Sequence, residues 1–96
     1  MHPEFSPAYN DLAWRYAEQD KSLQDALGLI ETALKIEPEN KAYLDTRAEV
    51  LYKLHRYDDA IAIEKKLVYL YPEIHLFREQ LKKYLFARQQ TNDLPK

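Results

Sequence analysis

Apolar residues recur along this chain at helical spacing, broken by short polar clusters. Ala26, Ile30, Ala33 and Leu34 make one stripe at intervals of three and four, and Ile74, Phe77, Leu81 and Leu85 make another, with Glu79, Lys82 and Lys83 off it. The pattern predicts five helices, over residues 7–19, 23–36, 41–54, 57–71 and 73–90. Ser6 is placed to cap the first, with Pro7 at its first position. Ser22 and Asp25 resemble a capping box for the second. Pro38-Glu39-Asn40 reads as a turn in which Asn40 caps the third helix, and His55-Arg56 reads as the next turn. Asp58 and Asp59 suit the positive end of the fourth helix, and Pro72 closes it. Residues 1–5 read as a flexible N-terminal tail or a cloning remnant, and 91–96 as a disordered tail. Gly28 costs its helix about 1 kcal/mol against Ala, so it marks either a close approach or a tolerated surface position.

The pattern also repeats. Pro38 and Pro72 set the offset, and Asp25-Ala26-Leu27 matches Asp59-Ala60-Ile61 at the same spacing. Ala33 falls opposite Leu67, and Glu37-Pro38-Glu39 falls opposite Tyr71-Pro72-Glu73. A period of this length in a helical chain points to stacked helical hairpins. With this pattern the chain resembles the tetratricopeptide repeat (TPR) family. Leu12, Ala13 and Tyr16 fit the family's helix A, and Ala26, Ile30, Ala33 and Pro38 fit helix B and its closing proline. Ala48, Leu51, Tyr57, Ala60, Leu67 and Pro72 occupy the corresponding places in a second unit. Departures are visible. The first turn carries one extra residue near Asp20-Lys21, Arg47 replaces a large apolar residue, and Glu64 replaces an aromatic. Leu67 stands at a small site, and His55 stands where the family has glycine, which reaches left-handed backbone at less cost. The resemblance implies an all-α fold of antiparallel helix-turn-helix repeats in a short right-handed superhelix. Its repeats would span residues 6–40 and 41–74, followed by a polar-backed capping helix over 73–90.

Composition narrows the function. Ninety-six residues suit one small domain, and a single glycine argues against a turn-rich β fold and against any glycine-rich phosphate loop. A net charge of -2 gives no electrostatic case for nucleic acid or an anionic membrane. No apolar run is long enough to span a bilayer, and Met1 is followed by polar residues and prolines rather than a leader, leaving the cytoplasm as the default compartment. Cysteine is absent, so disulfide and thiol chemistry are excluded. His2, His55 and His75 are scattered without metal-ligand spacing, and Ser6 and Ser22 read as caps rather than nucleophiles. The expectation is a non-enzyme without metal or cofactor.

The surface remains as the candidate site. In the family the A helices line a concave groove. By register the groove would gather Asn10, Trp14, Ala17 and Glu18, then Asp45, Glu49, Tyr52 and Lys53, then Glu79, Lys83 and Phe86. Trp14, Tyr52 and Phe86 would form an aromatic row edged by Asp45, Glu49 and Glu79, suited to a peptide with apolar anchors and basic character. The alternative for Trp14 is packing against a neighbouring helix. A clamp for a C-terminal carboxylate, known in one TPR subclass, is not expected, because Asp45 and Glu49 would repel it. The implied function is a protein-interaction module or scaffold. A self-associating structural module is the alternative, since residues 61–71 are apolar on more than one side, and a piece of a larger array or enzyme is a further reading.

Overall fold

The structure is a computed structural model and describes residues 5–92. It is all-α, with five helices: α1 (Ser6–Gln19), α2 (Leu23–Ile36), α3 (Lys41–Lys53), α4 (Tyr57–Leu70) and α5 (His75–Asn92). Each helix packs on the next in sequence, and α3 also packs on α1.

The turns show how the two hairpins correspond. At the end of α1 the Asp20 and Lys21 amides donate to Ala17 and Tyr16 carbonyls at 3.1 and 3.1 Å. At the end of α3 the His55 and Arg56 amides donate to Tyr52 and Leu51 at 3.0 and 2.8 Å, in the same pattern. Both turns use a left-handed residue, Asp20 at φ 55° and His55 at φ 64°. The extra residue of the first turn is absorbed by a second left-handed position, Ser22 at φ 52°. That backbone overturns the expected capping box: the Ser22 side chain makes no cap hydrogen bond, because capping needs an extended backbone that aims the hydroxyl back at the helix amides.

The connections between hairpins repeat as well. Glu37 N–H donates to Ala33 at 3.0 Å and Asn40 N–H to Glu37 at 3.2 Å; one repeat later, Tyr71 donates to Leu67 at 2.8 Å and Ile74 to Tyr71 at 3.0 Å. Asn40 caps α3 as expected, its Oδ1 accepting from Tyr43 N–H at 3.1 Å. The same turn delays α5 to His75, two residues past the expected start, and α5 then continues through 91 and 92 rather than fraying. The remainder of both expected tails, residues 1–4 and 93–96, lies outside the described residues.

Ser6 is the other corrected cap. Phe5 takes the N-cap position, and Ser6 lies inside α1 with no exposure. Its Oγ donates to Glu37 Oε2 at 3.0 Å and accepts from the Tyr43 hydroxyl at 3.0 Å, tying α1 to the α2–α3 connection.

The small repeat positions do what small residues permit. Ala13, Ala26, Ala33, Ala48 and Ala60 are all fully buried, which lets the helices approach closely. Ile30, Leu51 and Leu67 are buried with them, while Leu12, Tyr16 and Tyr57 are half-buried and Pro38 and Pro72 are exposed at the connections. One core cluster gathers around Ala13, Ala17, Ile30 and Val50, and a second around Ala48, Leu51, Ile61 and Tyr84, with Leu27 touching both. Gly28 is a surface position: a Cβ built there meets nothing within 4 Å.

Candidate functional site

A groove of about 590 Å³ lies over α3, walled by α1 on one side and by the α4–α5 connection and the start of α5 on the other. Trp14 of α1 stands on one wall, and Ile74, Leu76 and Phe77 make an apolar wall opposite. Asn10, Asp45 and Thr46 supply polar surface between them. Charges at the margin nearly cancel, with Asp11 and Glu18 against Arg15 and Lys41. Lys41 is further occupied, its ammonium sitting 5.1 Å from the centre of the Tyr71 ring. Two acceptors of the groove residues are buried without a hydrogen-bond donor among the described residues: Asn10 Oδ1 and Asp45 Oδ1. Thr46 cannot serve them, since its hydroxyl donates to the Ala42 carbonyl at 3.0 Å.

Asp45 belongs at the same time to a buried cluster. It is 6 % exposed, Glu49 is 6 % exposed and Glu64 is fully buried. Three donors converge on Glu49 Oε1: Lys83 Nζ at 2.9 Å, the Tyr84 hydroxyl at 2.9 Å and Gln80 Nε2 at 3.4 Å. Among the described residues Glu64 has no such donors, and both its oxygens would be orphaned as a carboxylate. Burial, the proximity of Asp45 and the charge of Glu49 therefore push the Glu64 carboxyl up to about 10, so it holds its proton at neutral pH. The protonated group donates to Asp45, a bond two ionised carboxylates cannot make. Asp45 is itself raised above the ordinary aspartate value, first by burial and then by Glu49, with the bonds from Glu64 and Gln80 and the charge of Lys83 opposing. Burial and Glu49 likewise raise the Tyr84 phenol, which stays neutral.

Of the residues expected to line a groove, Asn10, Trp14, Glu18 and Asp45 do so, and the others do not. Ala17 is fully buried in the core. Glu49 is turned into the α3–α5 seam with Lys83. Tyr52 sits among Tyr57 and Tyr84, with ring centres at 5.9 and 4.9 Å, and Lys83 lies 4.9 Å from its ring centre. Lys53, half-buried at the end of α3, is away from the groove. Glu79 is engaged on the surface of α5 by His75 at 3.2 Å and Lys82 at 3.7 Å. Phe86 is 64 % exposed and does not join Trp14 and Tyr52 in a row. The apolar wall was missed because Ile74 and Phe77 share the helical stripe of a core face; the sign that they do more is their position beside Pro72, where the chain turns across the open side of α3.

His55 Nδ1 contacts the Tyr57 hydroxyl at 2.7 Å. Among the described residues no group of three His, Cys, Asp or Glu has metal-binding geometry, and no helix is long and apolar enough to cross a membrane. A second hollow of about 520 Å³ lies between the α2–α3 connection and α4, where Leu44, Ile63 and Leu70 form an apolar shelf beside Glu39 and Lys66.

No family model, no curated protein and no solved structure matches this chain. What fold and site define is a class: an all-α protein of repeated helical hairpins with an open groove across its odd-numbered helices.

Proposed function

We propose that this chain is a protein-interaction module of the tetratricopeptide repeat kind, holding an extended segment of a partner in the groove over α3. The observation that carries the reading is the groove itself, where the Trp14 face and the Ile74–Leu76–Phe77 wall flank acceptors that lack donors. Concave sites of this size with apolar walls and a few convergent polar groups are the usual form of a binding site. The family reading is supported by turn hydrogen bonds that recur from one hairpin to the next and by the buried alanines. A right-handed superhelix belongs to the same reading.

The test is selection of a displayed random-peptide library on the protein, followed by direct titration of the selected peptides. Binding that is lost in Trp14→Ala or Leu76→Glu, with helicity unchanged, supports the groove. Peptides that bind both variants as well as the parent place the interaction elsewhere and refute it. Leu76 is already 55 % exposed, so its substitution tests the wall without opening the core.

A self-associating module is the second reading, favoured by Tyr69 and Leu70, which are 84 % and 50 % exposed at the end of α4. Light scattering coupled to gel filtration, over a hundredfold range of concentration, separates the two. A constant monomer mass removes this reading, and a rising mass that Leu70→Asp abolishes supports it.

A further inference from the structure

We infer that the groove grips its partner through an arginine side chain, the guanidinium taking up the acceptors of Asp45 and Asn10 beside the Trp14 indole. The inference rests on the groove reading and names the chemistry of its occupant.

Three observations lead there. The first is unmet hydrogen bonding. Asp45 is nine-tenths buried, and its Oδ1 and that of Asn10 have no donor among the described residues. Such acceptors are costly to leave empty. The Glu64 proton and the Gln80 amide serve two positions on Asp45, but a carboxylate accepts about four hydrogen bonds, and the Asn10 oxygen remains unserved.

The second is charge. Asp45 faces Glu49 on its own helix, Glu64 on α4 and Lys83 on α5. Lys83 is the cation that acts on Asp45 and Glu64, and it is bound to Glu49 at 2.9 Å. With Glu64 protonated, two carboxylates stand against one ammonium. One negative charge is therefore uncompensated, and Asp45 is the member that reaches the groove. At the margin Asp11 and Glu18 balance Arg15 and Lys41, so nothing there cancels it.

The third is shape. A guanidinium is planar, presents five donors in a fixed fork, is weakly hydrated and stacks on indole faces. An ammonium fits two separate acceptors and an aromatic plane less completely. A phosphate or carboxylate ligand would bring a second negative charge against Asp45.

The test uses butylguanidinium and the neutral, nearly isosteric butylurea as probes. Binding is followed by the emission of Trp14, the sole tryptophan, and by the side-chain amide resonances of Asn10. Butylguanidinium is expected to bind about tenfold more tightly than butylurea, as for a charge-assisted hydrogen bond, with the preference lost in Asp45→Asn. It should also weaken on acidification, starting above the range of an ordinary aspartate because Asp45 is raised. Should Asp45→Asn fail to fold, Asn10→Leu and the acid limb of the parent provide the same discrimination. Equal binding of both probes overturns the arginine and leaves the groove standing. So does a preference that survives in Asp45→Asn. If neither probe perturbs Trp14 the inference also fails, and the peptide selection above then decides separately whether the groove binds at all.

Discussion

Replacing Glu64 by Gln is expected to stabilise the protein at neutral and alkaline pH, and the size of the effect follows from the burial of this carboxyl. The side chain has no exposure, and its oxygens meet no donor as a carboxylate. Its proton is held to about 10 in the folded state against 4.5 in the unfolded chain. The native state thus binds a proton that the unfolded state has lost. Stability contributed by this group is complete below pH 4.5, declines as pH rises, and is gone once pH passes the folded value near 10. The slope is about 1.4 kcal/mol per pH unit. From 4.5 to neutrality the accumulated cost is about 3 kcal/mol, a large fraction of the 5–15 kcal/mol or so that holds a small domain together. Glutamine has the same shape, stays neutral, and offers an N–H to Asp45 in place of the carboxyl proton. Urea unfolding followed by circular dichroism, at about pH 5, 7 and 9, measures the difference directly. The variant should match the parent near pH 5, exceed it by about 3 kcal/mol near pH 7 and exceed it further near pH 9. A melting point raised by more than about 10 °C at neutral pH is the thermal equivalent. Asp45 is raised too, so a shallower slope of the same sign should persist in the variant. A parent whose stability is flat from about pH 5 to 9, or a glutamine variant weaker than the parent near pH 9, would refute the reasoning, because either result means that the buried carboxyl ionises without penalty.

Three further substitutions test the fold. Gly28→Ala should stabilise by up to about 1 kcal/mol in thermal or urea unfolding, since the added methyl meets nothing within 4 Å. His55→Gly should stabilise by about 0.5–1 kcal/mol by relieving left-handed backbone at φ 64°, the exposed contact to Tyr57 offsetting part of the gain. Ser6→Ala should cost about 1–2 kcal/mol, because it strips the buried Tyr43 hydroxyl of its partner and unties α1 from Glu37; an unchanged urea midpoint would show that these bonds contribute nothing.

The helices and their small contact positions were legible because they depend on local spacing. Ala13, Ala26, Ala33, Ala48 and Ala60 follow from one period and are all buried. Asn40 was legible as a cap because its extended backbone is compatible with the turn around it. Ser22 was not, because one inserted residue turned its backbone left-handed. Asn10, Trp14, Glu18 and Asp45 of the groove were legible and its apolar wall was not, for a reason visible in α5. Shifted by one repeat, Tyr43, Thr46 and Val50 fall on Phe77, Gln80 and Tyr84, and all six are buried. The register therefore holds through the last helix. What differs is the neighbour. Asp45 and Glu79 occupy equivalent positions, yet Asp45 is 6 % exposed with Glu64 of α4 and Gln80 and Lys83 of α5 acting on it, whereas Glu79 lies on the last described helix and its side chain is 49 % exposed. Tyr52 and Phe86 are equivalent as well, and Tyr52 is enclosed because Tyr84 packs beside it. Register gives the face of a helix; which helix comes next decides whether that face is floor, seam or surface.

The same neighbour relation sets the charge in the groove, and this can be separated from stability. Glu64 is a positioning residue for Asp45: its proton, donated across the α3–α4 seam, opposes the burial that would otherwise neutralise the aspartate. Glu64→Gln retains a donor at that place, whereas Glu64→Met fills the space without one. Both remove the cost of keeping Glu64 protonated, so both should be less sensitive to alkaline pH than the parent. They should part company in ligand binding. With the Glu64 donor lost and Gln80 remaining, Asp45 holds its proton to higher pH, so butylguanidinium binding in Glu64→Met should fail at higher pH than in Glu64→Gln. Removing a hydrogen bond to a charged group corresponds to about one pH unit in the midpoint of that loss. Fluorescence titration of Trp14 with butylguanidinium across the acid range measures the two midpoints. Coincident midpoints in two folded variants would mean that Glu64 only fills space behind Asp45, and the charge of the groove would then have to be set by Lys83 and Glu49 alone.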